Sequence, residues 1–92
     1  MAPSVRLIQL GRIFAESPDS LTGERARALI AARPGDFARA LFLEAADSDD
    51  VTSIEDARVY LGARLEFFGD FVPPTARGQI RDAFEGLLAR WG

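Results

Sequence analysis

Apolar residues recur at three- and four-residue spacing along most of the chain, the period of an amphipathic helix, and the densest such stretch is residues 36–47. Wound at roughly 100° per residue, this stretch sets Phe37, Ala38, Leu41, Phe42, Ala45 and Ala46 on one arc of about half the circumference. Only Arg39, Glu44 and Asp47 oppose them. A helix so apolar, in the middle of a short chain, has to be covered by the segments before and after it. It is expected to be the floor of a core. Phe42 is the core residue to remove first, with truncation to alanine expected to cost about 3–5 kcal/mol.

The flanking segments carry the same period. Over residues 4–17, Leu7, Leu10 and Phe14, with Gly11 between, share one face, while Arg6, Gln9, Arg12 and Glu16 gather on the other. The competing reading of this segment as a strand rests on Val5-Arg6-Leu7, but the adjacent apolar pairs Leu7-Ile8 and Ile13-Phe14 break a two-residue period. Ser17 before Pro18 ends the helix, since the residue preceding proline avoids helical geometry. Pro18-Asp19-Ser20 is turn chemistry, and Ser20 or Thr22 can cap a second helix running to about Arg33. Its inward side is Leu21, Ala26, Leu29 and Ile30. Pro34-Gly35 closes it, and Asp36 is expected to cap the central helix.

After Asp47 the chain turns polar. Thr52 with Glu55, or Ser53 with Asp56, has the spacing of a capping box and opens a fourth helix striped by Ile54, Ala57, Leu61, Leu65 and Phe68. Gly69-Asp70 and Pro73-Pro74 stop it. From Thr75 a last helix gathers Ile80, Phe84, Leu87, Leu88 and Trp91 on one side, with Arg81, Asp82 and Glu85 away from them. The expectation is an all-α single domain over residues 1–92, a compact antiparallel bundle of about five short helices with sequence neighbours packed side by side.

Composition narrows the possibilities. Ninety-two residues, 48% of them hydrophobic, suit one core. Cysteine is absent, so disulfides and thiolate metal sites are excluded. The opening segment carries Arg6 and Arg12 inside its apolar run and no small-residue cleavage site, which argues against a signal peptide. No run reaches the roughly 20 apolar residues of a membrane span, and a cytoplasmic location is expected. All eleven basic residues are arginine, and lysine, histidine and asparagine are missing. With abundant alanine, this reads as codon bias of a GC-rich genome, bacterial or phage. The net charge of −3 does not favour general adhesion to nucleic acid or an anionic membrane.

Without histidine, cysteine or lysine, hydrolase triads, cysteine nucleophiles, Schiff-base lysines and imidazole or thiolate zinc sites are all ruled out. Paired carboxylates remain as an acid–base possibility, but so small a bundle offers little cleft for a sugar chain. The chain is expected not to be an enzyme and to use no cofactor. Gly62, Gly69, Gly78 and Gly86 fall in or at the ends of predicted helices and match no phosphate-binding motif. Glu44, Asp47, Asp49, Asp50, Glu55 and Asp56 fall within thirteen residues with no basic residue among them. A calcium loop beginning at Asp47 would need an oxygen ligand where Val51 stands, glycine where Thr52 stands and glutamate where Arg58 stands, so no metal site is expected.

What remains is contact. Tyr60, Phe67 and Phe71 form a second stripe beside the core stripe of the fourth helix, next to Arg64, and aromatic residues with arginine are what interface centres favour. The alternative for that stripe is a wide core face covered by another helix. Asp47, Asp49, Asp50, Glu55 and Asp56 form a candidate acidic contact patch; their alternative is a solvated loop beside helix N-termini. The leading functional expectation is a protein–protein interaction module: a small acidic adaptor, regulator or phage-type inhibitor covering a partner protein's surface, or a homodimer through its aromatic stripe. A second reading is a DNA-binding regulator with a helix-turn-helix-like segment over residues 22–47, using Arg25, Arg27, Arg33 and Arg39. Against it, Glu44 and Asp47 on the would-be recognition helix would meet phosphates. A third reading is a structural subunit of a larger assembly.

Overall fold

Five α-helices and one 3-10 turn make up the regular structure of the computed structural model, which describes residues 4–17 and 19–91; no strand occurs among them. In chain order they are α1 (Val5–Phe14), α2 (Gly23–Ala32), α3 (Pro34–Ala46), α4 (Ile54–Phe67) and α5 (Pro74–Leu88), with the 3-10 turn Gly69–Phe71 between the last two. The chain is all-α, as the spacing of its apolar positions predicts. Residues 1–3 and the expected stop at Pro18 lie outside the described residues.

Local chemistry sets the helix ends. The Ser4 hydroxyl accepts the Leu7 N–H at 3.2 Å and opens α1, so this segment is helix and not strand. Ala15 closes it in the left-handed region at φ 57°, and the Ala15 and Glu16 N–H groups both turn back to the Gly11 carbonyl. A Cβ at Gly11 would stand 2.9 Å from the Glu16 carbonyl oxygen, so this tight reversal requires a glycine there. Thr22, not Ser20, caps α2 by accepting the Arg25 N–H at 3.1 Å.

At α4 the Ser53 frame prevails. Ser53 Oγ accepts the Asp56 N–H at 3.1 Å, and the Asp56 carboxylate accepts from both the Thr52 N–H and the Thr52 hydroxyl, at 3.0 and 2.9 Å. Asp36 does not cap α3. That helix begins two residues earlier at Pro34, whose fixed φ and missing N–H suit the first helical position, and Asp36 instead pairs with Arg33 at 2.8 Å. Pro74 opens α5 in the same way, one residue before Thr75.

The central helix does act as the floor: α3 touches each of the other four α-helices. Phe37, Ala38 and Leu41 are wholly buried, each large apolar side chain stabilising the fold by about 1.5–3 kcal/mol. Its most extensive partner is α5, so the principal contact joins helices that are not adjacent in sequence, contrary to the neighbour-by-neighbour expectation. Phe37, Leu41 and Ala45 on α3 and Ala76, Ile80, Phe84 and Leu88 on α5 are both unbroken rows of buried apolar residues at four-residue spacing, and Phe42 of α3 meets Phe84 of α5 edge-on at 5.8 Å.

The expected arc on α3 is wider than its cover. Ala46 is exposed, and Phe42 is only partly buried, its ring edge-on to Phe84 at 5.8 Å and Trp91 at 6.0 Å. Phe37 holds the centre that the pattern assigns to Phe42. It stacks on Phe14 at 6.3 Å and meets Phe68 edge-on at 5.7 Å. Ala57, Leu61 and Leu65 on α4 and Phe68 just past its end are buried as expected, whereas Ile54, in the first turn, is 42% exposed.

Candidate contact surface

Three helices enclose an open groove of about 420 Å³, lined by Gln9, Arg12 and Ile13 of α1, Ala40, Leu43 and Glu44 of α3, and Arg64 of α4. Each wall follows from helical period: Gln9 and Ile13, and likewise Ala40 and Glu44, stand four residues apart on one face. Leu43 is 57% exposed, a large apolar side chain left open beside polar neighbours.

Arg64 anchors one wall. Its guanidinium lies 5.2 Å from the Phe67 ring, 5.3 Å from Phe68 and 5.8 Å from Tyr60, an aromatic surround that attracts a cation. Its hydrogen bonds are poor by comparison. One terminal nitrogen reaches Glu44 at 3.3 Å and Gln9 at 3.5 Å, and Nε is buried without an acceptor. Glu44 is held more firmly by the Tyr60 hydroxyl, which donates to the same carboxylate oxygen at 2.8 Å. Burial first, and then the Glu44 carboxylate, push the Tyr60 phenol above its ordinary range, while Arg64 opposes them.

The aromatic stripe is therefore assembled in part. Tyr60 and Phe67 come together around Arg64, which lines the groove, with Tyr60 partly buried and Phe67 37% exposed. Phe71 does not join them. It is 7% exposed, sits in the 3-10 turn against α2 beneath the Arg6 guanidinium, and belongs to the core. Gly69 and the change from α-helix to 3-10 turn shift the register that would have kept it in line.

The acidic patch divides. Glu55 pairs with Arg58 at 2.9 Å, and Arg58 also grips Glu85 at 2.8 Å, holding the Glu85 carboxyl below the usual range. Asp56 is committed to the cap, and its hydrogen bonds from Thr52 hold its carboxyl low. Asp47, Asp49 and Asp50 are exposed, and none makes an ion pair among the described residues. A shallower hollow of about 190 Å³ adjoins them, lined by Asp50, Val51, Asp56, Val59 and Tyr60, with Val59 71% exposed. No group of three or more carboxylates is placed to hold a metal ion among the described residues.

Of the arginines in residues 22–47, Arg25 pairs with Glu16, Arg27 bonds the Asp70 carbonyl and Arg33 pairs with Asp36. Arg33 is also the whole connection between α2 and α3, where a helix-turn-helix uses a turn of three or four residues. Leu43, with Gln9, Arg12 and Ile13, is the part of the surface that sequence reasoning missed. The signal was there, since Leu43 is the one large apolar residue among Arg39, Glu44 and Asp47 on the polar side of its helix. No helix among the described residues is long and apolar enough to cross a membrane. No protein-family model, curated protein or solved structure matches the chain.

Proposed function

We propose that this protein is a non-catalytic protein-interaction module whose contact centre is the α1/α3/α4 groove around Leu43. The observation that carries the reading is the 57% exposure of Leu43 in a groove whose rim holds a ring-surrounded, weakly bonded arginine. Apolar area at the centre, aromatic residues and arginine beside it, and charge at the edge are the anatomy of an interface. The non-catalytic part rests on the missing histidine, cysteine and lysine and on the use of Glu55, Asp56 and Glu85 in caps and ion pairs. Asp47, Asp49 and Asp50 extend the surface with negative charge, which favours basic groups on whatever covers that end.

Site-specific crosslinking tests this. A photoreactive phenylalanine analogue replaces Leu43 in one variant and the exposed Arg77 of α5 in another, and both are irradiated in extract of the source cell. Discrete crosslinks to protein, the chain itself included, are expected from position 43 and not from position 77. Equal labelling from both, or none from position 43, would refute the reading.

A further inference from the structure

Along the outward side of α3, Arg39, Leu43 and Asp47 follow one another at four-residue intervals, about 6 Å apart along the helix axis, and all three are exposed. The face therefore reads cation, apolar, anion. Neither Arg39 nor Asp47 has an ion pair among the described residues, and Asp49 and Asp50, also unpaired, extend the anionic end. The cationic end is reinforced from α1. Phe14 lies against Phe37 while Arg12 and Ile13 line the groove with Ala40, so Arg12 stands beside the first half of α3, again without an ion pair.

A surface of this kind is complementary to itself. We propose that the occupant of the Leu43 face is a second copy of the same chain, docked with the two α3 helices antiparallel about a two-fold axis passing near Leu43. This rests on the reading of that face as a contact surface and adds the partner's identity. With Leu43 opposite Leu43, position 39 of each copy stands opposite position 47 of the other, so two Arg39–Asp47 pairs form that neither copy makes alone. Arg12 on one copy and Asp49 and Asp50 on the other continue the same match outward. The exposed Ala46 and part-buried Ala40 are small enough to let two helices approach to about 8–10 Å. A different partner would have to carry anion, apolar and cation in the reverse order; this face turned through half a revolution already does. The interface is small, so the dimer is weak and its charged pairs matter more for register than for affinity.

Charge reversal gives the test. Sedimentation equilibrium over about 10 µM to 1 mM should show a monomer–dimer equilibrium for the wild type. Arg39→Glu sets like charges against each other at both ends of its own homodimer, and so does Asp47→Arg; each should raise the dissociation constant about tenfold or more. Mixing the two variants restores opposite charges at both contacts, so the mixture should dimerise about as well as the wild type. Both positions are exposed and clear of the core, and circular dichroism verifies that each variant is folded. A wild type that stays monomeric throughout would overturn the assignment of a second copy, while crosslinks from position 43 to another protein would leave the contact surface standing. Dimerisation unaffected by both single reversals, or no heterodimer on mixing, would overturn the antiparallel docking.

Discussion

Truncating Phe37 and Phe42 separately compares two neighbouring arcs of one helix. Phe37 is wholly buried and packed between Phe14 and Phe68, with ring centroids 6.3 and 5.7 Å away. Phe42 is partly buried on the other flank, against Phe84 and Trp91. Phe37→Ala should therefore lose the full transfer and cavity contribution of a core aromatic, about 3–5 kcal/mol. Phe42→Ala, with one side already in water and room for Trp91 to settle, should lose about half of that, roughly 1.5–2.5 kcal/mol. A domain of this length has a total stability of about 5–14 kcal/mol, so the first change removes a large share of it. In thermal melts followed by circular dichroism, Phe37→Ala should lower the midpoint by about 12 °C or more, well beyond Phe42→Ala. Equal losses, or a larger one for Phe42→Ala, would refute the assignment of Phe37 to the centre.

Ala15→Gly should stabilise the fold by about 1 kcal/mol, because Ala15 holds a left-handed φ of 57° that glycine adopts without strain; an unchanged or lower melting midpoint would contradict the account of the α1 terminus. Tyr60 is the chain's one tyrosine, so phenolate absorbance follows it directly: it should titrate above the ordinary value of about 10, and Glu44→Gln should bring the midpoint down. Since that pKa is raised on folding, its share of stability is present below the unfolded value and is lost as pH rises through the folded one. Asp56 and Glu85 run the other way. Their carboxyls are lowered, so their contribution is present above about pH 4 and disappears as pH falls through the folded values, and Asp56→Asn should flatten part of the acid decline in melting temperature.

Helix positions were legible in the sequence because the apolar period is long and uninterrupted, and the caps Ser4, Thr22 and Ser53 are of the residue types that capping requires. Period alone does not say which helix covers which arc. That is why Phe42 reads as central in the pattern, and why the α3–α5 pairing, between helices far apart in the chain, does not show in it. In the pattern the prolines mark stops. At Pro34 and Pro74 each in fact begins a helix, so Asp36 was freed to pair with Arg33. Of the candidate contact residues, Tyr60, Arg64 and Phe67 kept their helical register and came together. Phe71 lay beyond Gly69 and lost it. Glu55 pairs with Arg58 one turn on, and Asp56 is engaged by the Thr52 N–H and hydroxyl at the cap, which a run of like charge does not reveal. Leu43 is masked in the pattern because it stands alone among Arg39, Glu44 and Asp47, opposite the apolar arc of α3.

The central proposal is that α3 has two working faces, one roofed by the rest of the chain and one, around Leu43, that meets a second copy of it. Amide shifts recorded over a dilution series, about 1 mM to 20 µM, test it most directly. Changes confined to residues 9–13 and 39–50, with Arg77 and Arg81 on α5 unmoved, are the predicted result. Spectra that do not change with concentration, or changes centred on α5, would contradict it.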